Sequence, residues 1–200
     1  MSSTELTARK KGIDMDWKQI FKLTLSLLIV TAIAAFVLSL VNVLTADTIA
    51  ARNEQARMQA MTCVLPDADS FSDLYSDDPT IDRISGGYSG INPVGYCVEV
   101  SPNGFGGAIR LMVGIDINGS VTGVTILDHS ETAGLGAKAE DPQFLNQYTG
   151  KSGTVHVNTG SNSVSAITGA TITSKAVTEG VNTALTAVLN YDAEGGDIDV

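Results

Sequence analysis

The sequence predicts an α+β protein on a membrane anchor: one N-terminal transmembrane helix, then a twisted, mostly antiparallel sheet covered by helices. Three observations carry this. An uncharged run of 24 residues, Leu23 to Ala46, stands near the N-terminus. The middle of the chain alternates apolar and polar residues between Gly-rich turns. A late segment repeats apolar residues at helical spacing.

The uncharged run is long enough to cross a bilayer. At about 1.5 Å of rise per residue it extends roughly 36 Å as a helix, against a hydrocarbon core of about 30 Å. A core helix usually interrupts such a run with polar residues at helical spacing, and here the few polar residues are mild: Thr24, Ser26, Thr31, Ser39 and Asn42. A secretory signal has a shorter apolar core, although Thr45–Ala46 offers small residues of the kind found at cleavage sites. Arg9, Lys10, Lys11, Lys18 and Lys22 precede the run, and only Arg52 and Arg57 follow it closely. The positive-inside rule therefore places residues 1–22 in the cytoplasm, residues 23–46 in the membrane and the remainder outside.

Charge divides the chain at the same point. The formal net charge is +2 up to residue 46 and −12 beyond it, which together make the −10 of the whole chain. So acidic a domain repels nucleic-acid phosphates, and it carries no basic stripe to reverse this. Cys63 and Cys97 are the only cysteines. An oxidising exterior permits one disulfide, and two free thiols are the alternative. No CxxC and no His/Cys cluster is present, which argues against zinc or an iron–sulfur cluster.

Residues 47–80 read as a juxtamembrane helix, Ile49 to Leu65, followed by an Asp- and Ser-rich loop from Pro66 to Pro79. Tyr96, Val98 and Val100 alternate with Cys97, Glu99 and Ser101 as in a strand. Ile109–Ile115 and Val121–Leu127 continue an antiparallel meander through the turns Pro102–Gly107 and Asn118–Gly119. Asp141 to Tyr148 reads as a short helix with Asp141 as N-cap, Pro142 at its first position and Phe144 and Leu145 facing inward. Val155–Val157 suggests a short strand. From about Ser174 to Asn190 a helix would bury Val177, Val181, Ala184, Leu185, Val188 and Leu189. The acidic tail 192–200 reads as disordered.

Two segments invite a chemical reading. Ser165-Ala-Ile-Thr-Gly-Ala-Thr-Ile-Thr-Ser174 is a turn of small residues feeding a helix N-terminus. Gly169 and Ala170 permit close backbone approach, Thr173 or Ser174 can cap the helix, and the amides and dipole of the first turn favour an anion. His129-Ser-Glu-Thr-Ala-Gly-Leu-Gly136 follows a strand as a loop. Its Leu135, apolar and between two glycines, calls for a flat partner, while Glu131 read alone is a solvated acid. His129 and His156 read as solvated or strand-edge residues, and no side chain is cast as catalytic.

Together the segments are more specific. Thr168-Gly-Ala-Thr171 resembles the S/T-G-A-T motif of the FMN-binding domain family, and Glu131-Thr-Ala-Gly-Leu-Gly136 resembles its upstream E-T-x-G-L-G loop. The single span and the Gly104-Phe-Gly-Gly107 turn are similar to the G subunits of Rnf electron-transport complexes. Related to these is the C subunit of sodium-pumping NADH:quinone reductase. The resemblance implies FMN joined covalently to Thr171 through a phosphoester, with Thr168, Gly169, Ala170, Ile172, Thr173 and Ser174 and the loop residues Glu131, Thr132, Gly134, Leu135 and Gly136 around it. It further implies residues 81–191 as an extracytoplasmic FMN-binding domain at the cell membrane. Its role would be an electron relay in an ion-translocating ferredoxin:NAD oxidoreductase, not catalytic alone. The other membrane subunits would be its partners, and a separate flavin transferase would attach the cofactor, because a threonine hydroxyl is a weak nucleophile at neutral pH. The alternatives are the quinone-reducing relative and a membrane-tethered flavin- or phosphate-binding sensor. At one position the chain departs from the family pattern: Ser165 stands where an Asp is common.

The orientation is testable in right-side-out vesicles. Protease added outside should remove the domain beyond Asp47 and leave the N-terminus intact; protection of the whole domain would reverse the assignment.

Overall fold

The computed structural model describes residues 17–76 and 78–193. The basic residues Arg9, Lys10 and Lys11 and the tail beyond Ala193 lie outside the described residues. The chain divides into two compact units between Arg52 and Asn53.

In the first unit the described residues are all helical, part of α1 (Trp17–Val64), and all exposed. Large apolar side chains such as Leu23, Phe36, Leu38 and Val43 are exposed. By length and composition this is a helix able to cross a membrane.

The second unit is a five-stranded antiparallel sheet in sequential order: β1 (Ser70–Leu74), β2 (Arg83–Ser89), β3 (Asn92–Val100), β4 (Ile109–Asp116) and β5 (Val121–His129). After β5 come a 3-10 helix (Gly136–Glu140), α2 (Pro142–Leu145), the two-residue parallel strands β6 (His156–Val157) and β7 (Ser163–Val164), and α3 (Thr171–Ala193). One sheet face carries Tyr96, Val98 and Val100 of β3 with Ile109, Leu111, Val113 and Ile115 of β4, buried against Val177, Val181, Ala184, Leu185 and Val188 of α3. The other carries Cys97 and Met112 and is covered by Ala60, Met61, Val64 and Leu65 at the end of α1. Both faces of the central strands are thus dry. Burial pushes the Cys97 thiol up to about 12. Cys63 and Cys97 are both free.

Glycine permits the close seating of α1. A side chain at Gly114 would reach to 2.3 Å from the Val64 carbonyl oxygen, and Thr122 Oγ1 donates to that same oxygen. Arg57, two turns earlier on the same face of the helix, bonds Asp73 of β1 and Ser85 of β2 and lies 3.8 Å from Glu99 of β3. Desolvation would lower its pKa, but the hydrogen bonds and charges of Asp73 and Glu54 prevail and raise it.

Four expectations need correction. The acidic stretch Pro66–Pro79 contains β1, because Asp73 finds a charge partner in Arg57. The terminal helix starts at Thr171, not Ser174, and runs through Ala193, so the expected tail loses its first two residues to the helix. Leu189 is 58% exposed, beyond the edge of the apolar stripe. Asp141 sits at the N-cap of α2, but its side chain makes no capping bond; its backbone carbonyl accepts from Phe144 and Leu145 instead.

The α1 contact yields a graded prediction. Gly114→Ala should destabilise the detergent-solubilised protein by about 1–3 kcal/mol, because a methyl there meets backbone. Gly123→Ala, whose methyl would lie 3.1 Å from Val64 Cα, should cost less. Equal thermal denaturation of the two variants would contradict the seating.

Candidate functional site

The two segments singled out in the sequence meet at one end of the sheet. β5 ends at His129, and the backbone N–H of Glu131 donates to His129 Nδ1 at 3.2 Å, turning the chain. Turn bonds from the amides of Leu135 and Ala137 to the Thr132 carbonyl then fold the loop into the 3-10 helix. Opposite, Ala170 N–H donates to the Ile167 carbonyl at 3.0 Å and closes a β-turn, with Gly169 at φ +80° in its third position. Only glycine takes that conformation readily. The turn delivers the chain directly into α3.

Glu131 joins the halves. It is 9% exposed, and its Oε2 accepts from Thr173 Oγ1 at 2.6 Å while its Oε1 accepts from the Gly106 amide at 2.8 Å. Burial would raise its pKa; the bonds from Thr173 and from the Gly106 and Phe105 amides outweigh that and hold it below the usual carboxylate range. It is a buried, charged tie and not the solvated acid expected. Glycines make its room: a side chain at Gly104 or Gly136 would come within 2.3 Å of a Glu131 carboxylate oxygen. His129, expected to be a solvated or strand-edge residue, ends β5, supports the same loop through Nδ1 and has Nε2 3.2 Å from Glu140 Oε1. His156 is exposed on β6 as expected.

The tie changes how the helix start is understood. Thr173 commits its hydroxyl to Glu131, and Ser174 Oγ donates to the Ala170 carbonyl and accepts from the Ile167 amide. Neither caps α3. The N-cap is Ala170, whose carbonyl accepts the first helical bond, from Ser174 N–H at 3.0 Å. Alanine has no capping oxygen, so the amides of Thr171, Ile172 and Thr173 have no partner within the helix. They are the anion-binding amides of an uncapped helix N-terminus.

Around this junction lies a cavity of about 370 Å³ lined by Phe105, Glu131, Thr132, Leu135, Gly136 and the run Gly169 to Thr173. Three apolar side chains stand exposed at it: Phe105, Leu135 and Ile172. Leu135 lies over Gly169, with Cδ2 3.2 Å from where a Cβ would be. Of the expected site residues, Thr168, Gly134 and Ser174 do not line the cavity. Thr168 lies exposed in the turn, Gly134 supplies a φ of +78°, and Ser174 is fully buried behind the helix start. Phe105 is the addition. Its signal in the sequence is an aromatic residue isolated among glycines, the same oddity that marks Leu135.

A flat aromatic ring with a phosphate tail fits this chemistry. The exposed apolar side chains offer surface for the ring, unpaired amides await an anion, and the Thr171 hydroxyl stands exposed in the first helical turn. Known proteins agree. Residues 104–186 match the family model of the FMN-binding domain, and residues 15–64 match that of the RnfG N-terminal region. The G subunit of a Na(+)-translocating ferredoxin:NAD(+) oxidoreductase complex from Acetobacterium woodii is 38% identical over 90% of this chain and 97% of its own. The G subunit of a proton-translocating ferredoxin:NAD(+) oxidoreductase complex from Clostridium ljungdahlii is 32% identical over 89% and 96%.

The chain belongs to the family of Rnf complex G subunits. The cavity lies wholly within its FMN-binding domain. The fold is similar to that of the C subunit of the Na(+)-translocating NADH-quinone reductase from Parabacteroides distasonis, with a TM-score of 0.55 over 72% of this chain and 94% of that one at 17% identity.

The Glu131 tie predicts a pH signature. A depressed folded-state pKa gives stability that is present at neutral pH and lost as pH falls below about 4. Glu131→Gln should therefore destabilise the protein at pH 7 by about 2 kcal/mol, the worth of charged hydrogen bonds. The gap from wild type should close in acid. A gap independent of pH would mean that the charge is not what Thr173 and the Gly106 amide hold.

Proposed function

We propose that the chain carries FMN as a phosphoester on Thr171 and relays electrons within an ion-translocating ferredoxin:NAD oxidoreductase complex, with its flavin domain on the outer side of the cell membrane. The observation that carries the reading is the position of Thr171: an exposed hydroxyl in the first turn of α3, at a cavity with exposed apolar side chains, beside amides that no cap consumes. The relatives named as subunits of such complexes supply the wider context, and they make the other membrane subunits its partners.

FMN supplies the redox chemistry when bound. The protein's residues do the rest. The amides of Thr171, Ile172 and Thr173 meet the phosphate, whose diester keeps one negative charge suited to the helix dipole. Phe105, Leu135 and Ile172 offer apolar surface to the ring. Thr132 and the backbone at Gly136 and Gly169 complete the wall. A covalent link keeps the cofactor on a domain facing the outside, where no internal pool would replace it.

The link is formed by transfer of the flavin mononucleotidyl group from flavin adenine dinucleotide held by a separate flavin transferase. The Thr171 Oγ1–phosphorus bond forms and the diphosphate P–O bond breaks. The nucleoside monophosphate leaves, the hydroxyl proton passes to a base, and no electrons change hands.

Mass spectrometry of chains produced with a flavin transferase tests this. Wild type should be heavier by FMN less one water, and Thr171→Ala should lack the increment while its fold survives. Thr168→Ala should keep it, since that hydroxyl lies outside the cavity. A Thr171→Ala chain that still gains the mass refutes the assignment. Thr173→Ala should also keep a measure of attachment but lose the Glu131 tie, with a stability loss of about 1–2 kcal/mol.

A further inference from the structure

Two of the side chains that hold the chain leading into Thr171, Gln147 and Asn158, lie in neither motif. Residues 165–170 form no strand or helix, so their backbone groups need partners from elsewhere. Three consecutive amides find side-chain oxygens. Ser165 N–H donates to Gln147 Oε1 at 2.7 Å, Ala166 N–H to Asn158 Oδ1 at 2.8 Å, and Ile167 N–H to Ser174 Oγ at 2.9 Å. Gln147 Nε2 returns a weaker bond, 3.4 Å, to the Ser165 carbonyl, so its amide brackets that residue from both sides.

The supports of this strap are themselves fixed. Gln147 stands just after α2, next to Tyr148, which is fully buried and bonds Thr178 of α3 at 2.8 Å. Asn158 is the one non-glycine with positive φ among the described residues, at +57°, and its own amide donates to the Val164 carbonyl of β7 at 2.9 Å. Asparagine tolerates that backbone where most residues do not. A residue held in an uncommon conformation, with its side chain aimed at one amide of the strap, points to a purpose beyond closing a turn.

An ordinary N-cap side chain steadies the start of a helix by bonding the amide of its second or third residue. Here those amides belong to Ile172 and Thr173, two of the three left open toward the cavity. An uncapped first turn frays, and Thr171 lies in it. We infer that Gln147 and Asn158 are positioning residues for flavin attachment: they hold the turn before Thr171 in the conformation on which the transferase acts, steadying the helix start without consuming the amides that the phosphate needs. The inference rests on Thr171 as the attachment site.

The test is the initial rate at which the full-length chain in detergent gains mass when given purified flavin transferase and flavin adenine dinucleotide. Asn158→Gly deletes the acceptor and keeps the backbone, since glycine accepts φ +57° freely. Gln147→Ala deletes the bracket. Each should slow attachment at least fivefold, and the pair together more, while melting temperatures stay within a few degrees and long incubation brings all chains to full occupancy. Asn158→Asp, which keeps an oxygen facing Ala166 N–H and tolerates the same backbone, should stay within twofold of wild type. A merely structural role would not be rescued in rate by Asp at unchanged melting temperature. If Gln147→Ala fails to fold, the Asn158 pair still decides. Attachment at the wild-type rate in Asn158→Gly, faster attachment, or an Asp variant as slow as Gly overturns the inference. A wild-type chain that gains no mass, or a Thr171→Ala chain that gains it, overturns instead the reading of Thr171, and this inference with it.

Discussion

The buried carboxylate of Glu131 is the constraint on which the site depends. It reaches three segments distant in sequence: the Gly104–Gly107 turn through the Gly106 amide, its own loop, and α3 through Thr173. A carboxylate with both oxygens occupied and little water is costly to bury unless every bond is made. That cost turns the tie into a geometric specification, because the three segments must all arrive for any to be stable. The glycines at 104 and 136 follow from it, since a methyl at either would displace a carboxylate oxygen. The cavity is the space left when these segments close on Glu131, so its shape derives from the tie more than from the residues that line it.

The same carboxylate sits in the wall of a site read as binding a phosphate, within a domain whose formal charge is −12 beyond residue 46. Two features answer that repulsion locally. Glu131 turns its lone pairs to Thr173 and the Gly106 and Phe105 amides, so its charge is spread into donors of the protein itself. The first turn of α3 presents open amides and the positive end of a dipole, without an acidic residue in it. Fixed partial charges at close range outweigh a diffuse net charge screened over a Debye length of about 8–10 Å. Selectivity for an anion at this spot is thus compatible with an acidic domain that repels anions elsewhere.

What the sequence made legible follows physical periodicity. β3 and β4 show as apolar runs between Gly-rich turns because both of their faces are buried, one on α3 and the other under the end of α1, and α3 shows its stripe because that stripe is buried. β1 and β2 are obscured for different reasons. β1 is a five-residue edge strand with only Phe71 and Leu74 apolar, and it is held by Asp73 to Arg57, an ion pair that no periodicity announces. β2 contains Gly86 and Gly87, which weaken any strand pattern but let Leu65 approach, and its register shifts beside Gly87. At the site, both motifs are visible as strings, and the cavity brings most of their residues together. Thr173 reads as a cap because a threonine near a helix start usually is one. Its true partner lies 42 residues away and appears only when the loop folds. Phe105 is visible only as part of a Gly-rich turn, because nothing in the string shows that the turn folds onto the cavity.

Position 165 shows where information for the fold ends and information for another molecule begins. The backbone of Ser165 is held through its N–H and its carbonyl by one Gln147 amide. Its side chain is exposed and makes no hydrogen bond to any described residue. The fold therefore specifies the backbone here and is indifferent to the side chain. An aspartate would meet no steric obstacle to the bracket, and a serine loses nothing that this chain supplies. Side-chain identity at an exposed position of a fixed backbone is legible only to a partner that docks on it, and under the Thr171 reading that partner is the transferase. The strap and the motif thus divide the labour: Gln147 and Asn158 decide where the segment lies, and residues 165 to 171 decide what a docking enzyme finds there.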